Sequence, residues 1–131
     1  MSNTVLVPQP KGPYSTTRKV DNVLYLSGQG SIDVATGDAV LDDIRSQTRR
    51  TLENIEALLT AEGFDISELA QITCYLTDIA DWPAMNEAYA EYLGDRAHPV
   101  RTAVQVAALP FGISVEMACT AHRSADAEVC A

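Results

Sequence analysis

Two charged residues in the last third of the sequence are the strongest candidates for chemistry. Arg101 stands at the start of a predicted strand, where its guanidinium could grip a carboxylate with two parallel hydrogen bonds. Glu116 stands in the middle of the next predicted strand, among small and apolar residues. A carboxylate there needs a partner or a role, because desolvating it alone is costly. A solvated strand-end charge and a structural ion pair stay open as alternatives.

Smaller groups earlier in the chain could line a ligand site. Tyr14 follows a Gly-Pro turn that could aim its phenol at a fixed point. The segment Ser27-Gly28-Gln29-Gly30 ends a predicted strand, and its glycines could let a ligand approach the backbone. Asn86, on a predicted helix, could reach a ligand. Packing, a β-bulge and backbone capping are the alternative roles of these residues.

The sequence carries no pattern typical of a metal, phosphate or dinucleotide site. There is no P-loop, no GxGxxG and no HExxH. His98 and His122 stand apart, without carboxylates at ligand spacing. Cys74, Cys119 and Cys130 are an odd number without a CxxC spacing, which argues against a disulfide framework or a Cys-rich zinc site. We therefore expect no metal site, and a reducing compartment.

Elements in the order β-β-α-β-α-β-β position these residues. Strand alternation covers residues 23–27, 70–77, 102–109 and 113–121. Apolar residues at three- and four-residue steps predict a helix over residues 44–59 that stops at Gly63. A second helix is expected to be capped by Asp81 and closed by Gly94. Two helices on one face of a mixed sheet make an α+β domain.

The length and composition limit the class of protein. With 131 residues the chain forms one domain, predicted over residues 1–122 with a flexible tail at 123–131. Eighteen acidic residues outnumber nine basic ones, giving a net charge of −9 and arguing against a nucleic-acid or anionic-membrane partner. No apolar run approaches a membrane span, and residues 1–10 lack a signal-peptide pattern. A cytoplasmic location is expected.

The face of the sheet opposite the helices is expected to need a cover. Its candidate residues in the last two strands are either Val104 and Val106, or Ala103, Gln105 and Ala107. These side chains are small and mostly apolar, which favours burial against another subunit.

Several motifs, in one order and at consistent spacing, resemble the RidA family, also called YjgF-type proteins. The resemblance runs from about Gly12 to Ala121. The motifs are Gly12-Pro13-Tyr14-Ser15, Leu26-Ser27-Gly28-Gln29, Gln47-Thr48, Leu52-Glu53-Asn54-Ile55, Thr77-Asp78, Asn86-Glu87-Ala88-Tyr89, Pro99-Val100-Arg101-Thr102 and Val104-Gln105-Val106-Ala107-Ala108-Leu109-Pro110.

The resemblance implies a chorismate-mutase-like α+β fold and a homotrimer. The sheets would pack into a central barrel, with three clefts between subunits. It also implies hydrolysis of reactive 2-enamine and 2-imine acids, such as 2-aminoacrylate, to a 2-keto acid and ammonia. This chemistry requires no cofactor.

The resemblance also implies a role for each candidate residue. Arg101 would bind the substrate carboxylate and Glu116 would position and activate the attacking water. The remaining residues would line the pocket: Tyr14, Ser27, Gly28, Gly30 and Asn86.

Two positions depart from the family pattern and bear on the substrate. Ala103 stands where many enamine deaminases have a cysteine, and Gly30 where many have a bulky aliphatic residue. A larger or differently shaped acid, such as an aminomuconate-type catabolic intermediate, is therefore one alternative. A non-catalytic trimer that binds small carboxylates is another. RNA cleavage and translation inhibition, also linked to the family, are disfavoured by the negative charge.

Overall fold

The computed structural model describes residues 6–123 of the chain. They form a five-stranded mixed sheet that is covered on one face by two helices. The sheet order is β1-β2-β5-β3-β4, with β3 and β4 parallel and the other pairs antiparallel. This confirms the predicted α+β class and element order. The strands are β1 Thr17–Val20, β2 Val23–Gly30, β3 Leu69–Leu76, β4 Val100–Gln105 and β5 Val115–His122, and the helices are α1 Ile44–Ala61 and α2 Trp82–Leu93.

The first helix, α1, follows the predicted periodicity closely. The carboxylate of Asp43 accepts a 2.8 Å hydrogen bond from the backbone N–H of Ser46, which caps the helix and lowers the pKa of Asp43. Gly63, with a φ of 79°, follows its end, as expected. The apolar stripe of α1, including Leu52, Ile55 and Leu59, is fully buried against the sheet.

The start of α2 differs from the prediction. Asp81 precedes the helix but makes no capping hydrogen bond through its side chain. The chain enters α2 through a 3-10 turn over Ile79–Asp81, so Asp81 already has near-helical dihedral angles rather than the extended ones of a capping residue. The capping side chain is that of Asp78, which caps the 3-10 turn by accepting a hydrogen bond from the backbone N–H of Ala80.

Both C-terminal strands are shifted relative to their predicted bounds. β4 begins at Val100, so Arg101 is its second residue, and it ends at Gln105 rather than at 109. It stops there because Gln105 pairs with Leu76, the last residue of its partner β3. β5 begins at 115 rather than 113, after a 3-10 turn over Pro110–Gly112.

The two faces of the sheet have different environments. Toward the helices, β5 alternates the fully buried Val115 and Met117 with outward-facing residues. Cys119 is also buried on this apolar face. Outward, β4 leaves Val100 70% exposed and Val104 40% exposed. Among the predicted outer-face sets, the structure therefore selects the one that contains Val104.

Some predictions concern the ends of the chain and membranes. Arg123, the first residue of the predicted tail, donates its backbone N–H to Asn22 O and pairs with Glu68. The rest of that tail, residues 124–131, lies outside the described residues. Neither helix within residues 6–123 combines the length and the apolar character needed to span a membrane.

Candidate active site

The carboxyl group of Glu116 lies on the open sheet face, on the second residue of the central strand β5 rather than in the middle of the strand as predicted. Glu116 alternates with the buried Val115 and Met117, so its side chain projects away from the helices. It pairs with Gly30 on β2 and with Tyr75 on β3. Burial raises the pKa of this half-buried carboxyl above its ordinary value. Glu116 forms no ion pair with any residue of the described range 6–123, so the structural ion pair considered for it is not found there.

The absence of a side chain at Gly28 makes room for the Glu116 carboxyl. A Cβ atom at position 28 would lie 2.8 Å from Cδ of Glu116 and nearer still to Oε2. The pairing of β2 with β5 also shifts register between Leu26 and Gln29, as a β-bulge does. The bulge considered for this segment is therefore present, whereas the group that approaches Gly28 is the side chain of Glu116; the approach of a ligand to this backbone stays a prediction.

A cleft opens in front of Glu116. Its outer part is bordered by Tyr14, Ser27, Gly28 and Pro110. Its inner part, the inner pocket, continues past Gly30 to Lys11, Ile32, Phe111 and Ile113, with a cavity volume of about 80 Å³. Five of the predicted site residues are thus in one place: Tyr14, Ser27, Gly28, Gly30 and Glu116.

Local hydrogen bonds fix the outer border of the cleft. Tyr14 donates its backbone N–H to Gly12 O at 2.8 Å, and its phenol oxygen accepts from Lys11 N at 3.2 Å. The hydroxyl of Ser27 donates to Ser15 O at 2.6 Å. Since that hydroxyl proton is already used, Ser27 offers a ligand only an acceptor oxygen.

The departure from the family pattern at Gly30 does not enlarge the inner pocket. A Cβ atom at Gly30 would overlap the Cδ1 methyl of Ile113. Ile113 therefore fills the space that a bulky residue at position 30 would occupy. Sequence reasoning gave no role to Ile113, because its position after the Pro110–Gly112 turn indicated only a strand start.

Two buried amides on α1 hold the backbone around the cleft, and sequence reasoning also missed them. Asn54 donates to Gly30 O at 3.1 Å and to Ile32 O at 3.0 Å. Gln47 accepts from the backbone N–H of Ser114 at 2.9 Å. The available signal was two polar residues, seven positions apart, on the apolar stripe of the helix.

Arg101 belongs to a second group of residues. Its guanidinium donates to Asn86 Oδ1 at 2.6 Å and lies 4.8 Å from the ring centroid of Tyr89. Both partners are on α2, so Arg101 is held by an amide and an aromatic face rather than solvated alone. The Tyr89 hydroxyl is buried without a hydrogen-bond partner among residues 6–123, and burial raises the pKa of Tyr89 to about 12.

Ala103 completes this second group. It lies two residues after Arg101 on the same face of β4, beside Cys74 of β3, and it packs against the core. Burial raises the pKa of the Cys74 thiol to about 11, so that thiol stays protonated.

The two groups lie on opposite faces of the sheet. Arg101 pairs with the fully buried Ile72, on the helix side, whereas Glu116 pairs with Tyr75, on the open side. One chain therefore does not bring the guanidinium of Arg101 to the carboxyl of Glu116. No group of three or more metal-ligating side chains lies together within residues 6–123.

A mixed sheet with two helices on one face defines a two-layer α+β protein, in which a hydrogen-bonded guanidinium and a half-buried carboxyl lie on opposite faces of the sheet. The sequence profile of the family described as Endoribonuclease L-PSP matches residues 4–123. The chain is 44% identical to a RutC family protein of Pyrococcus horikoshii over 88% of this chain and 91% of that one. It is 38% identical to a goat (Capra hircus) 2-iminobutanoate/2-iminopropanoate deaminase, over 88% of this chain and 83% of that one.

A solved structure agrees with these sequence relatives. The YjgF gene product of E. coli superposes with a TM-score of 0.86 at 27% identity, covering 91% of this chain and 94% of that one. The chain belongs to the L-PSP family, that of the YjgF and RidA proteins, as its motifs indicated.

Proposed function

We propose that this protein is a hydrolytic deaminase of reactive 2-imino and 2-enamine acids, acting at clefts between copies of the chain. The observation that carries the proposal is the division of the site: a held guanidinium at Arg101 and a desolvated carboxyl at Glu116, on opposite faces. The deaminase name of the goat relative supports the reaction class.

Arg101 would hold the substrate by its carboxylate. Its bond to Asn86 uses one of five N–H donors, which leaves the others for two parallel bonds to a carboxylate. The ring of Tyr89 beneath the guanidinium fixes its plane, so the substrate is oriented as well as attracted.

Glu116 would position and activate the attacking water. The water oxygen bonds to the imine carbon, its proton passes to the carboxylate, and the C=N electron pair moves to nitrogen. That proton then passes to the nitrogen, which gives a carbinolamine. The carboxylate next takes the hydroxyl proton and passes it to the same nitrogen, so the C–N bond breaks and ammonia leaves as the keto C=O forms. The raised pKa of Glu116 suits an exchange of protons in both directions.

A homotrimer would bring the two groups together. The open face carries Tyr25, Val100 and Val104, each at least 40% exposed in the single chain. Such a face favours association with further copies, and neighbouring copies would place one chain's Arg101 near another's Glu116.

We also propose a cytoplasmic location.

The family description names an endoribonuclease, and the charges of this chain do not favour that activity. Acidic residues outnumber basic ones by 18 to 9. Four of the nine basic side chains, all within the described residues, are in ion pairs with carboxylates: Arg45, Arg50, Arg96 and Arg123. Phosphate binding depends on free basic side chains.

The direct test generates 2-aminoacrylate with a dehydratase and follows pyruvate and ammonia. The protein should accelerate release, and Arg101→Ala should abolish the acceleration while the mass of the assembly stays the same. No acceleration of this imine or of longer ones would favour the carboxylate-binding alternative.

A further inference from the structure

The inner pocket has no role in the steps proposed so far. Its walls are mostly apolar, from Ile32, Ile113 and the ring of Phe111. Among the described residues, two charged side chains line it, Glu116 and Lys11. A substrate whose reacting carbon lies at Glu116 would point its side chain into this space.

The ammonium of Lys11 is available to a ligand. It donates to Gly37 O and lies 5.8 Å from the ring centroid of Phe111. No carboxylate within residues 6–123 lies at ion-pair distance from it. An ammonium has three N–H donors, so two are left for an anion.

The size of the inner pocket limits the length of that ligand. Its volume of about 80 Å³ is roughly half that of an engineered cavity of ~150 Å³ that takes a benzene ring. It therefore encloses roughly three or four non-hydrogen atoms. One or two methylenes with a terminal carboxylate have four or five, so a carboxylate oxygen would lie at the border of the pocket, where Lys11 is exposed.

We propose that the inner pocket binds the substrate side chain and that Lys11 binds a carboxylate at its end. The preferred substrates are then imines of short dicarboxylic amino acids, with four or five carbons. Apolar walls accept the methylenes, and the two carboxylates of the substrate meet Arg101 and Lys11. This inference rests on the proposed deaminase function.

The test compares imines made in place by an amino-acid oxidase, with catalase present. Glutamate gives an imine with a terminal carboxylate, norvaline gives one of similar length without it, and alanine gives the shortest. Keto-acid release is measured in competition with semicarbazide, for the wild type and Lys11→Met. Methionine keeps most of the length and the apolar stem of lysine, and it removes the ammonium with its charge and its hydrogen bond to Gly37 O.

We expect the wild type to show a kcat/KM about tenfold higher for the glutamate imine than for the norvaline imine, corresponding to about 1.4 kcal/mol. Lys11→Met should remove this preference and leave the alanine imine unaffected. High salt should reduce the preference, since Lys11 is exposed to solvent.

Two results would overturn the inference on Lys11 while leaving the deaminase function intact: equal or better turnover of the norvaline imine, or a preference that persists in Lys11→Met. Failure to accelerate any of the three imines would instead contradict the proposed function itself.

Discussion

The contact between Gly28 and Glu116 gives a specific prediction. In Gly28→Ala, the new Cβ would lie 2.8 Å from Cδ of Glu116, where ordinary contacts begin at 3.4 Å. The carboxyl must therefore retreat by at least 3.4 − 2.8 = 0.6 Å, and further at Oε2. A displacement of about 1 Å costs roughly 100-fold in rate where water and substrate must be aligned. We expect kcat to fall by about that factor.

The same substitution should have little effect on stability. The group that must move is the far end of a flexible side chain, not backbone. We expect the free energy of unfolding to change by less than about 1 kcal/mol. KM should also be nearly unchanged, because the guanidinium of Arg101 is not disturbed.

A double-mutant cycle separates this explanation from a general distortion. The rate of imine hydrolysis is measured for Gly28→Ala, Glu116→Gln and the combined variant. If alanine acts only by displacing the carboxyl, it should cost little more once that carboxyl is already an amide. The reasoning would be refuted if the combined variant lost the product of the two single losses in rate, or if Gly28→Ala kept the full wild-type rate.

The remaining predictions concern the holding of Arg101 and the ionisation of Glu116. Tyr89→Leu removes the ring under Arg101 and should raise KM about 3- to 30-fold. Tyr89→Phe keeps the ring and removes an unpaired buried hydroxyl, so KM should stay unchanged and the free energy of unfolding should rise by about 1 kcal/mol. An equal KM in Tyr89→Leu and Tyr89→Phe would contradict a positioning role for the ring. Since the ionised form of Glu116 accepts the proton and burial raises its pKa, kcat should fall as the pH drops through a value above 4.5. If kcat of Glu116→Gln falls at low pH in the same way, another group is responsible for this pH dependence.

Elements with a strong local pattern were predictable from sequence. The apolar stripe of α1 and its stop at Gly63 follow directly from residue types and spacing. Ala118 and Thr120 share the face of Glu116, as period-two alternation along a strand dictates from local sequence alone.

The arrangement of the site was not predictable in the same way. Arg101 faces the helices because β4 pairs with β3 in the register that places Arg101 beside Ile72. A slip of one residue would turn it to the other face, and no local pattern in β4 fixes that register. The close approach of Gly28 to Glu116 likewise depends on β2 and β5 being neighbours, although they are far apart in sequence.

The central claim is that each site combines Arg101 of one copy with Glu116 of another. Arg101→Ala and Glu116→Gln should each retain only a small residual activity alone, and coexpression at equal amounts should restore activity well above it. Random mixing gives each cleft a chance of about 1/2 × 1/2, so about one quarter of the wild-type imine hydrolysis is expected. Mixed assemblies as inactive as the separate variants would contradict a site shared between copies.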